Sequence, residues 1–188
     1  MRLYKRIAQG LLGVAAATLL LSCEGELNRG DSPVALIATT LQDINQIDLN
    51  AACGSLGTIL LEVRVKSNFT TDIRFLDVQL KNYRVSYVRT DGGTVAPASF
   101  VRTVSGILTA GAGATSSSVF FAFSPDAFGN APFVALLPQN GGIDPETGRR
   151  FVQLDVITEI FGETLSGQAV SATTREGYVI CANCGGCF

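Results

Sequence analysis

The chain has no histidine and no tryptophan, and only one of its 188 residues is methionine. Without histidine there is no imidazole base for a Ser-His-Asp or Cys-His nucleophile. There is also no imidazole metal ligand, and no Cys-x-x-Cys-His haem attachment. Charge is sparse as well, at 16% of residues. Cysteine is scarce but clustered: five in all, three of them among the last eight residues.

What is present begins at the N-terminus. Arg2, Lys5 and Arg6 precede an almost uncharged apolar stretch from Ile7 to Leu21, the layout of a secretory signal. Gln9, Gly10 and Gly13 interrupt the stretch, which falls short of the roughly 20 apolar residues a membrane-spanning helix needs. It ends in Leu20-Leu21-Ser22-Cys23. That run resembles the lipobox of bacterial lipoproteins, with Leu21 a less usual choice at its place. The resemblance covers residues 1 to 23. It implies that the Cys23 thiol receives diacylglycerol, that residues 1 to 22 are removed as a signal peptide, and that the new amino group is acylated in turn. Two or three acyl chains, at about 0.8 kcal/mol per buried methylene, make a stable membrane anchor where one chain is marginal. Glu24 follows the cysteine. In enteric bacteria an aspartate there retains lipoproteins in the inner membrane, so Glu24 points toward the outer one.

The signal takes three of the 14 basic residues and none of the 16 acidic ones, leaving a mature chain of net charge about −5. That balance argues against nucleic acid or an anionic surface as an electrostatic partner. Residues 23 to 32 are polar, with Gly25, Asn28, Gly30 and Asp31, and read as a lipidated tether. From Pro33 to Phe188 the pattern is short β-rich runs broken by Gly, Pro, Asn and Asp. Strands are expected at 34–41, 58–66, 75–89, 99–109, 117–123, 151–161 and 166–181. In the second, Ile59, Leu61, Val63 and Val65 alternate with Glu62, Arg64 and Lys66, one face inward and one in water. In the third, Leu76, Val78 and Leu80 hold one phase and Tyr83, Val85 and Tyr87 the other. One extra residue near Lys81-Asn82, a β-bulge, would put all six on one face. About seven strands fit an all-β, immunoglobulin-like two-sheet sandwich, with a short helical turn allowed within 126–137. The chain resembles small bacterial lipoproteins that carry such a domain at their C-terminus.

The tail Cys181-Ala-Asn-Cys184-Gly-Gly-Cys187 joins Cys53 to make four mature thiols besides the anchor. Two readings compete. Four thiolates are a donor set for zinc, and the Cys-x-x-Cys-x-x-Cys spacing resembles the start of a bacterial ferredoxin run without its fourth cysteine and proline. In an exported chain, however, four cysteines more naturally form two disulfides. A turn centred on Gly185-Gly186 would join Cys184 to Cys187, leaving Cys181 for Cys53. A redox Cys181-x-x-Cys184 pair is the catalytic alternative, in a tail lacking the βαβ setting such motifs use.

Weaker candidates complete the search. Asp144-Pro-Glu146-Thr-Gly148 and Asp126 offer oxygen ligands to calcium, although turn chemistry explains them as well. Phe120, Phe121, Phe123, Phe128 and Phe133 are core filling, or a binding patch if exposed. Asn68-Phe69-Thr70 matches a glycosylation acceptor. The expected function is a non-enzymatic envelope lipoprotein, without cofactor, held in the bilayer by lipid and binding an unknown protein or glycan. The alternatives are a cysteine-based metal or redox module and a hydrolase built on paired carboxylates.

Overall fold

The computed structural model describes residues 32–41, 44–51, 56–66, 73–111 and 115–185. The strands are β1 (Val34–Thr40), β2 (Ile44–Asp48), β3 (Leu56–Val65), β4 (Val78–Arg89), β5 (Phe100–Leu108), β6 (Thr115–Phe121), β7 (Phe151–Thr164) and β8 (Ala169–Cys181). They form a three-stranded sheet of order β1-β3-β6 and a five-stranded sheet of order β2-β8-β7-β4-β5. All neighbours are antiparallel except β2 and β8, which run parallel. The fold is thus an all-β two-sheet sandwich, with eight described strands where about seven were expected. The added strand is β2, Ile-Asn-Gln-Ile-Asp, whose Ile47 enters the core.

Alternation places the core. Ile59, Leu61 and Val63 of β3 are buried, while Arg64 stands out in solvent beside Glu62. Facing them are Val78, Leu80, Tyr83 and Val85 of β4, and Val152, Leu154, Val156 and Ile160 of β7. The irregularity foreseen in β4 is present. Register shifts between Leu80 and Asn82 against both neighbouring strands, so residues on either side of Lys81 point into the same core. The bulge draws β4 and β7 together at Gly162, where a Cβ would lie 2.7 Å from Val78 Cγ1 and 3.0 Å from the Gln79 carbonyl oxygen. Only glycine fits that approach.

One end of the core is closed by aromatics. After β6 the chain makes two 3-10 turns, Ala127–Gly129 and Phe133–Leu136, within the stretch where a helical turn was allowed. They carry Phe133 and Leu136 into the interior. Phe123 meets the rings of Tyr87, Phe128, Phe133 and Tyr178 at 5.2 to 5.7 Å between centroids. Phe120, Phe123 and Phe133 are fully buried, and Phe128 packs against the core, so these phenylalanines fill the interior. Tyr87 Oη donates to the Ala122 carbonyl, and Tyr83 Oη accepts from the Phe121 amide.

Candidate functional site at the cysteine corner

β8 delivers Cys181 to the end of the five-stranded sheet beside β2, where Asp48 is its register partner. Beyond it Asn183 takes a positive φ of 60°, a conformation asparagine tolerates better than other residues with a side chain. The turn is held from β2. Asp48 is buried, and its Oδ1 accepts the amides of Asn50 at 3.0 Å and Asn183 at 2.9 Å, while Oδ2 accepts the Cys184 amide at 2.9 Å. Gln46 Nε2 donates to the Cys184 carbonyl, and Asn50 Nδ2 to Asn183 Oδ1. With its backbone fixed in this way, Cys184 comes back to Cys181 at a Cα separation of 5.9 Å, and the two are joined by a disulfide.

This corrects the expected pairing. Cys181 is bonded to Cys184, so neither the Cys53–Cys181 link nor the Cys184–Cys187 link is made. Cys181-Ala-Asn-Cys184 is itself a four-residue turn, and the Asp48 carboxylate from another strand closes it. Two of the four candidate thiolates are therefore consumed in this state. Cys23, Cys53 and Cys187, like the signal, most of the tether and Asn68-Phe69-Thr70, lie outside the described residues. Peptide mapping of the non-reduced chain is expected to return a Cys181–Cys184 ring. A peptide joining Cys53 to Cys181 would contradict this geometry.

Asp144 and Glu146 converge on a cation already in place. Arg89 at the end of β4 is almost wholly buried. Its Nε donates to Asp91 Oδ1 at 2.8 Å, its Nη2 to Asp91 Oδ2 at 2.8 Å and to Asp144 Oδ2 at 2.9 Å, and its Nη1 to the Val95 carbonyl. Asp144 Oδ2 also accepts the Thr147 hydroxyl and amide, and Glu146 accepts the amides of Thr94 and Val95. Asp144 and Glu146 thus clamp the 91–95 turn to the 144–149 turn. The guanidinium supplies the positive charge for which calcium was considered. Asp126 lies apart from them and accepts a hydrogen bond from Ser124 Oγ. Among the described residues no three His, Cys, Asp or Glu side chains are placed to hold one metal ion.

Sequence patterning missed a buried acid. Glu176 occupies a core-facing position on β8, pairing with Val156 on β7. Burial pushes its carboxyl above the usual carboxylate range, against a hydrogen bond donated by Tyr178 Oη at 3.0 Å. Gly57 of β3 makes room for the pair, since a Cβ there would lie 3.2 Å from both polar atoms. Alternation counts Glu176 as one more inward position; only the missing side chain at residue 57 hints that a polar group sits opposite. A cleft of about 310 Å³ is lined by Pro97, Ala98, Ser124, Asp126, Ala127, Asn130 and Ala131.

No protein-family model matches the chain, and no curated protein matches it in sequence. Among the described residues no helix is long and apolar enough to cross a membrane.

Proposed function

We propose that the chain is a lipid-anchored protein of the bacterial envelope whose β-sandwich is a non-enzymatic module for binding a protein or glycan partner. The observation that carries the reading is the N-terminal sequence, in which three basic residues, an apolar run and Leu20-Leu21-Ser22-Cys23 follow one another in the order that lipoprotein processing requires. The disulfide at Cys181 and Cys184 supports it, because such bonds persist in the compartments reached by export. The geometry of the acidic residues supports a scaffold: Asp91, Glu146 and the Oδ2 of Asp144 are spent on Arg89 and loop groups, and Asp48 on closing a turn. Glu24 favours the outer membrane.

Metabolic labelling with a fatty-acid analogue tests the anchor. Label is expected on the wild-type chain and absent from Cys23→Ala, because the acyl-accepting thiol is gone. Label retained by the variant would remove the basis of the proposal.

A further inference from the structure

The chain enters the sandwich at one fixed end. Ser32 is buried and its Oγ accepts the Val34 amide, while the Pro33 carbonyl accepts the Lys66 amide at 2.9 Å, where β1 begins beside the last residues of β3. The same end holds the start of β6, opposite Glu62, and the end of β5, where Leu108 lies opposite Val78. It also holds the 3-10 turn Ile73–Leu76 ahead of β4 and the turn at 165–168 between β7 and β8. Backbone bonds join these two turns: Leu165 N donates to the Asp77 carbonyl at 2.9 Å, and Ser166 N to the Phe75 carbonyl at 3.2 Å. Each turn presents an apolar side chain to solvent, Phe75 at 55% exposed and Leu165 at 51%. Scattered surface hydrophobes are ordinary, but these two stand on adjoining turns at the end where the N-terminal segment arrives.

We propose that this end of the sandwich rests on the lipid bilayer, with Phe75 and Leu165 seated among the headgroups and upper acyl chains. The inference builds on the reading of Cys23 as the lipidated residue. The reach of the tether decides which end can face the membrane. Residues 23 to 31 separate the anchor from Ser32, and at full extension they span at most about 32 Å. β7, with 14 residues, runs roughly 45 Å along the domain. A tether attached at the entry end is therefore too short to stand the domain on its opposite end. Val95 and Ile143, 43% and 45% exposed in the turns that close over Arg89, belong to that opposite end and are held away from lipid. Charge beside the two apolar residues is already answered. Asp77 accepts the Ala110 amide, and Glu163 is paired with Lys81 at 3.5 Å. The contact is thus apolar rather than electrostatic, in keeping with an acidic mature chain. Acyl chains hold the domain on the surface, and the two side chains set which way it faces.

Because the chain has no tryptophan, Phe75→Trp, Leu165→Trp and the control Val95→Trp each carry a single indole. The exported full-length variants are reconstituted into phosphatidylcholine vesicles whose acyl chains are brominated close to the headgroup, then recovered by flotation. Emission from the first two is expected to be quenched several-fold more strongly than emission from Val95→Trp. Unquenched indoles at 75 and 165 in a chain that floats would overturn the inference and leave the anchor standing; a blue-shifted, unquenched emission there would mean that protein, a second copy included, covers these turns instead. Quenching at 95 as strong as at 75 and 165 would also overturn it. A chain that carries no acyl group and stays below the vesicles would overturn the anchor and, with it, the inference built on it.

Discussion

Val85→Asp, Val63→Asp and Val78→Asp are each expected to destabilise the domain by about 4 kcal/mol, a large part of the 5–15 kcal/mol typical of a domain. All three valines are 0% exposed and lie between the two sheets. The substitution removes the burial of a valine, worth roughly 1.5–3 kcal/mol, and leaves a carboxyl group without a hydrogen-bond donor in an apolar interior, where it takes up a proton or opens the packing. Arg64→Ala is the control. Its side chain is 64% exposed and its ion pair with Glu62 is a surface one, so the change should stay within about 0.5 kcal/mol. Denaturant midpoints measure the contrast, and equal shifts for the two classes would mean that the inward and outward faces are reversed.

Arg89→Met is expected to cost about 3–5 kcal/mol near neutral pH, because it strands buried acidic partners rather than removing an ion pair as a unit. Two of them, Asp91 and Asp144, have side chains no more than 1% exposed. Burial alone would raise the Asp91 pKa. Hydrogen bonds from Arg89 and from the amides of Gln153 and Gly93, with the Arg89 charge, bring it down to about 2. A carboxyl whose folded pKa lies below its unfolded one binds fewer protons in the native state. Its stabilisation is therefore present above the unfolded value of roughly 4 and fades as pH falls toward the folded value. Wild-type stability should drop between about pH 5 and pH 2. Without Arg89 only the amides of Gln153 and Gly93 oppose burial, so the Asp91 pKa should rise toward its unfolded value and the fall in stability at low pH should flatten. Denaturant titrations across that range decide the matter, and parallel pH curves for the two proteins would contradict the assigned network.

The elements that were legible in the sequence are those in which one strand declares its own face. β3 and β4 alternate cleanly, and the phase change at Lys81 marked the bulge because an unbulged β4 would have turned Tyr83 and Val85 into solvent. β2 was not legible because its hydrophobic content is slight. It is a strand by virtue of lying parallel to β8, with Leu49 N bonded to the Cys181 carbonyl and Asp48 closing the cysteine turn. Each of those partners is more than 130 residues away in sequence. The disulfide followed the same logic: spacing allowed either pair in the tail, and a carboxylate from β2 selected one. Arg89 continues the inward phase of Tyr83, Val85 and Tyr87 at the end of β4, and nothing local showed that turns at 91 and 144 would bring carboxylates to it. Glu176 shows the reverse case, a charged residue at a core position that hydrophobic patterning has no means of explaining.

Mass spectrometry of the N-terminal tryptic peptide from the membrane fraction tests the anchor most directly. The account predicts that the mature chain begins at Cys23, so that the peptide ending at Arg29 carries the mass of residues 23 to 29 plus a diacylglyceryl group on the thiol and an acyl chain on the new amino group. An unmodified peptide, a start at another residue, or an intact signal still attached to Cys23 would contradict it.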